Sequence, residues 1–81
     1  MPGKTYKKIE IVGTSSDSLS AAIQDAIVRA SKTVKHLHWF EVVEQRGTIA
    51  DGGVGEYQVT IKVGFELECP PAGQPLPTIE L

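Results

Sequence analysis

Residues 57–67 read Tyr-Gln-Val-Thr-Ile-Lys-Val-Gly-Phe-Glu-Leu. Tyr57, Val59, Ile61, Val63, Phe65 and Leu67 alternate with Gln58, Thr60, Lys62, Gly64 and Glu66. This is the two-residue period of a strand that buries one face. The strand is predicted to run from Val54 to Leu67. Asp51-Gly52-Gly53, just before it, marks a turn. A second strand is predicted from Trp39 to Ile49, so the two form a long hairpin.

Upstream, Leu19, Ile23, Ala26, Ile27, Ala30, Val34 and Leu37 recur at steps of three and four. They form the apolar stripe of a helix, predicted over Asp17 to Lys35. Ser16 is the expected N-cap, with Asp17 favouring the positive end of the helix dipole. Arg29, Lys32 and Lys35 suit the other end. Before the helix, Ile9 and Ile11 alternate with Lys8, Glu10 and Val12, which predicts a first strand from Thr5 to Gly13. Gly13 to Asp17 then breaks that strand. Four of the five prolines lie at positions 70, 71, 75 and 77. They forbid a central strand there and discourage a helix. The expected organisation is one domain over residues 1–68 and a Pro-rich, flexible tail over 69–81.

The order is therefore β-α-β-β, an α+β fold with three antiparallel strands and one helix. A helix of about 19 residues spans roughly 28 Å. A strand of about 14 residues spans roughly 46 Å. The sheet must overhang its helix, and its second face has no cover within the chain. A chain of 81 residues is only marginally stable alone. Its single cysteine, Cys69, excludes an internal disulfide. No Cys/His spacing offers a structural zinc site. Oligomerisation is the remaining source of stability.

The net charge is -2, without a basic patch, which argues against nucleic acid. No apolar run approaches a membrane span. Residues 1–4 lack an apolar signal region, so a cytoplasmic location is expected. His36 and His38 lack a third partner at ligand spacing, so no metal site is expected. No nucleophile elbow or dinucleotide loop is present, and no enzymatic activity is expected.

Strand parity singles out a few residues. If Phe40 and Val42 face the helix, Trp39 faces away, as an interface anchor or a stacking platform. Gln58 lies on that same outer side and offers both donors and an acceptor to a planar heterocycle with imide edges. Taken alone, each has a bland alternative: an oligomer contact for Trp39, a solvated position for Gln58. Gly47 and Gly64 sit within strands, marking bulges or close backbone approach. Arg46 is a candidate phosphate or interface residue, or the partner of Glu44 or Glu56 in a surface ion pair.

Residues 8–15, Lys-Ile-Glu-Ile-Val-Gly-Thr-Ser, resemble the opening strand of the dodecin family. Ala21-Ala22-Ile23, Leu37-His38-Trp39-Phe40-Glu41-Val42, Arg46-Gly47-Thr48-Ile49, Tyr57-Gln58-Val59 and Val63 to Leu67 follow in family order. The resemblance spans roughly residues 4 to 68 and is closer to the bacterial branch. It implies a sheet wrapped around the helix and a hollow homo-dodecamer. It also implies flavins bound as stacked pairs between subunits. Trp39 would stack on the flavin ring and Gln58 would hold its polar edge, with Arg46 and Gly47 contributing. FMN or riboflavin is the implied ligand, with coenzyme A a further possibility. The implied function is flavin storage and suppression of flavin photochemistry. The alternative is a coenzyme A-binding or purely structural shell.

Overall fold

A computed structural model describes residues 3–67. The strand β1 (Tyr6–Ser15) leads into α1 (Leu19–Ala30), followed by β2 (Leu37–Ala50) and β3 (Gly53–Glu66). The three strands form one antiparallel sheet in the order β1-β3-β2. The expected β-α-β-β fold is present. The tail assigned to residues 69–81 lies outside the described residues.

The alternation that predicts β3 decides the layers. Val59, Ile61 and Val63 are fully buried and meet Ala22 and Ala26 of α1. Ile9, Ile11, Leu19, Ile23, Ile27 and Leu37 pack around this cluster. The helix residues nearest the sheet are small, spaced by four: Ala22, Ala26 and Ala30. Ala22 is the most deeply buried of them and was not in the stripe expected from the sequence. Small side chains let α1 settle close to β1. A Cβ at Gly13 would overlap the carbonyl oxygen of Ala22 and come within 2.8 Å of the Ala26 Cβ. Gly13 is thus a packing residue within β1, not the break that ends it. The strand continues to Ser15, which pairs with Tyr57.

Both helix ends differ from expectation for local reasons. The N-cap is Ser18, not Ser16: its Oγ accepts from the Ala21 N–H at 3.0 Å. Because β1 stays paired through Ser15, the turn falls later, and the Ser15 Oγ accepts from the Asp17 N–H at 2.9 Å. Asp17 therefore precedes the cap and is not in the first turn. At the other end α1 stops at Ala30, five residues short of Lys35. Ser31 Oγ donates to the Val28 carbonyl and Thr33 Oγ1 to that of Ala30. The Ser31 bond occupies the carbonyl that the Lys32 N–H would use, and that N–H turns to Arg29 at 3.2 Å. The chain then turns through His36 at φ 65°. Val34 keeps the apolar spacing, but the backbone has already left the helix.

The helix thus spans only about 18 Å beneath a hairpin of about 46 Å. It packs on β1 and β3. In β2 only Leu37 is partly covered, and His38 to Ala50 are exposed. Phe40 and Val42 do lie opposite Val63 and Ile61, on the helix side of the sheet. They nevertheless stay exposed, because the expected cover by α1 does not reach them.

Replacing Gly13 with Ala is expected to cost about 1–3 kcal/mol through overpacking. The urea midpoint at fixed protein concentration measures this. Gly3→Ala, where nothing lies within 4 Å of the new Cβ, is the neutral control.

Candidate functional site

The outer face of the sheet carries the candidate residues. Trp39 pairs with Gly64, and Arg46 with Gln58. Strict alternation along β2 would put Trp39 and Arg46 on opposite faces. The bulge between Val42 and Glu44 inserts Val43 and shifts the parity. Trp39, Glu41, Glu44, Arg46 and Thr48 thereby share one face with Gln58. Gly47 pairs with Tyr57 and falls on the helix side. There it helps line a groove of about 340 Å³ with Leu19, Ile49, Val54 and Tyr57. A Cβ at Gly47 would approach the Glu56 carbonyl oxygen to 2.7 Å.

The indole of Trp39 is exposed but held. Its Nε1–H donates to Glu41 Oε1 at 3.0 Å. Lys8 Nζ donates to both Glu41 oxygens at 3.2 and 3.3 Å. Tyr6 meets the indole edge-to-face, with centroids 5.2 Å apart at 72°. Beneath the ring lies Gly64, where an added Cβ would overlap the indole carbons. Gly64 is thus a close-approach glycine whose visitor is Trp39 of the same chain. His38, the extra residue of the bulge between Leu37 and Trp39, sits against the other flank of Tyr6 at 5.2 Å. Its Nε2 is 3.6 Å from Glu66 Oε1.

The second cluster surrounds Gln58. Arg46 Nε donates to Gln58 Oε1 at 2.8 Å, and Gln58 Nε2 donates to Glu56 Oε1 at 3.1 Å. Arg46 also approaches Glu44 at 3.9 Å. The expected Arg46–Glu44 contact is present but longer than the bond to Gln58. An amide has two N–H groups and two lone pairs. One of each is used here, and one of each is left for an incoming edge.

The two clusters do not meet within one chain. Gln58 and Gly64 are six positions apart along β3, about 20 Å. The sequence places Trp39 and Gln58 on one face and says nothing of this separation. It also misses Glu41 and Lys8, although Glu41 lies two positions from Trp39 on the same strand face.

A family model described as Dodecin matches residues 5–68. The chain belongs to the dodecin family. It is 64% identical over 66 residues to a dodecin of Thermus thermophilus, covering 82% of this chain and 96% of that one. It is 32% identical over 62 residues to the calcium dodecin of Mycobacterium tuberculosis, covering 76% and 87%. A solved Thermus thermophilus structure superposes with a TM-score of 0.81 at 62% identity, covering 84% of this chain and all of that one. The dodecin of Streptomyces coelicolor gives 0.81 at 47% identity, covering 86% and 100%. The β-α-β-β architecture of this chain is thus a dodecin architecture. No helix among its described residues is long and apolar enough to cross a membrane.

On this face of the sheet the Glu41 carboxyl has a displaced pKa. The hydrogen bonds from Trp39 and Lys8 hold Glu41 below its ordinary value, aided by the charges of Lys8 and Lys62 and opposed by partial desolvation. A lowered carboxylate pKa stabilises the fold above the unfolded value, and the contribution is lost as pH falls through the folded value. Because Trp39 is the only tryptophan, its near-ultraviolet dichroism reports this contact. The signal is expected to hold from neutral pH through the ordinary carboxylate range, about 4.3, and to change only below it.

Proposed function

We propose that this protein is a flavin-binding storage and buffering protein, with FMN or riboflavin bound between copies of a homo-dodecamer. The observation that carries the reading is a fixed, exposed indole and a half-engaged amide on one sheet face. Trp39 offers a π-surface for stacking on the isoalloxazine ring. Gln58 has a donor and an acceptor free for its imide edge. Arg46 adds a cation beside Gln58, whereas Gly47 lies on the opposite face of the sheet and is left out of this reading.

The spacing supports a site shared by subunits. One tricyclic ring does not reach across about 20 Å of strand. Trp39 of one copy and Gln58 of another can meet around a ring only if copies associate. The fold invites that association. The strands β1 and β2 are free edges. Phe40, Val42, Ile49 and Val54 form an exposed apolar band on the helix side of the hairpin. Such a band calls for cover. Stacked flavin pairs, each ring between an indole and its neighbour, would lose both faces to solvent and to substrates. The reading is accordingly a binding function without a catalytic step. An indole against an excited flavin can lend it an electron and take it back, which returns the flavin to its ground state without photoproducts.

Calcium gains no such support from this chain. Among the described residues no group of three or more His, Cys, Asp or Glu could hold a metal ion.

Titration of FMN with the ligand-free protein is expected to quench flavin fluorescence, saturating at a stoichiometry equal to the number of chains. Trp39→Ala is expected to weaken binding by about 1–3 kcal/mol and to restore emission to whatever flavin still binds. Gln58→Ala is expected to weaken binding by about 1 kcal/mol with quenching preserved. An intact dodecamer that leaves FMN emission unchanged would overturn the flavin reading and direct attention to coenzyme A or a structural shell.

A further inference from the structure

We infer that Glu41, anchored by Lys8, is a positioning residue that locks the Trp39 indole over Gly64 and fixes the ring face offered to a ligand. This inference rests on the flavin-stacking reading above and deepens it. The outer face of the sheet at Trp39 is open. A tryptophan there has two rotatable side-chain bonds and several staggered choices. Only its immediate surroundings can select one.

Three strands supply the selection. Lys8 on β1 and Trp39 on β2 both pair with Gly64 on β3. They stand on either side of a residue that has no side chain. The indole lies down into that gap, which any Cβ at 64 would fill. The carboxylate of Glu41, two residues beyond Trp39, reaches back to both neighbours. It accepts from the indole N–H at 3.0 Å and from Lys8 at 3.2 and 3.3 Å. Glu41 is itself half-exposed, with its side chain 46% accessible. Its own freedom is therefore limited mainly by Lys8, and the bidentate approach of the ammonium makes the acceptor a fixed point. Tyr6 closes the remaining edge at 5.2 Å. Floor, edge and acceptor together leave the indole one orientation, with its other face outward.

An indole ordered before binding has less freedom to lose when a ring stacks on it. Ordering one mobile side chain accounts for a change of about 2- to 10-fold in affinity. Glu41 would touch neither flavin face. Its effect passes through Trp39.

The test uses the assembled protein and four forms: wild type, Glu41→Gln, Glu41→Leu and Lys8→Met. Near-ultraviolet dichroism of the single tryptophan is read first, without flavin, with far-ultraviolet dichroism and particle mass as checks on folding. Glu41→Leu is expected to lose most of the indole band at unchanged mass. Glu41→Gln keeps an acceptor without the ion pair and is expected to lose less. Lys8→Met frees the carboxylate without touching the indole and is expected to weaken the band in the same direction. FMN titration then follows, with affinity expected to fall about 2- to 10-fold in Glu41→Leu. An unchanged indole band in both Glu41→Leu and Lys8→Met would overturn the positioning role. Should Glu41→Leu not assemble, the band of Lys8→Met decides. If wild type does not quench FMN, the flavin reading fails, and the flavin-free bands still decide whether Glu41 positions Trp39.

Discussion

A 12-residue helix under a hairpin of two 14-residue strands sets the terms for everything else in this structure. About 18 Å of helix cannot cover about 46 Å of strand. The core is accordingly small, built from Ala22, Ala26, Val59, Ile61 and Val63 with a partly buried rim. The outer strand β2 contributes little to it beyond Leu37. Its apolar helix-side residues remain in solvent, and its outer-face residues are free to serve something other than the core. A chain of this size could not leave Phe40, Val42 and Ile49 exposed and be stable alone without difficulty. The shortfall in the core and the surplus of apolar surface have the same origin.

The sequence discloses those features whose physics is periodic. Alternation in residues 57–67 places β3, its buried face and its pairing with β2. The same parity assigns Trp39 and Gln58 to the opposite face. What it does not disclose depends on contacts between elements. Gly13 reads as a strand breaker, because glycine commonly is one. In the fold α1 packs directly against it, a fact set by Ala22 on another element. The stripe through Val34 suggests a longer helix, while the Ser31 hydroxyl takes the Val28 carbonyl and the Lys32 N–H turns to the carbonyl of Arg29 instead. Periodicity is a statement about side chains. The end of a helix is decided by the backbone.

The candidate site shows the same division more sharply. Trp39 is odd-numbered and Arg46 even-numbered on one strand, yet they share a face because Val43 bulges out. The same shift carries Gly47 to the helix side, away from the residues beside which the sequence places it. No alternation pattern marks such an insertion in advance. The Lys8–Glu41–Trp39 chain goes unread in the sequence, although Glu41 and Trp39 are spaced by two on one strand. Lys8 lies 33 positions from Glu41 and enters through the pairing of β1 with β3.

A site divided between copies ties ligand binding to assembly, on the reading proposed above. Each of Trp39 and Gln58 is present in every chain, but a ring meets both only where chains associate. A ligand that binds only the associated state must favour that state by mass action, by about 2.7 kcal/mol per site at a free concentration one hundred times its Kd. The monomer, with its small core, is the state that such binding disfavours. The apolar band beyond the helix acts in the same direction without ligand, since its burial also requires neighbours. Storage and stability then depend on the same contacts. The overhang that weakens the single chain is what makes a shared pocket geometrically available.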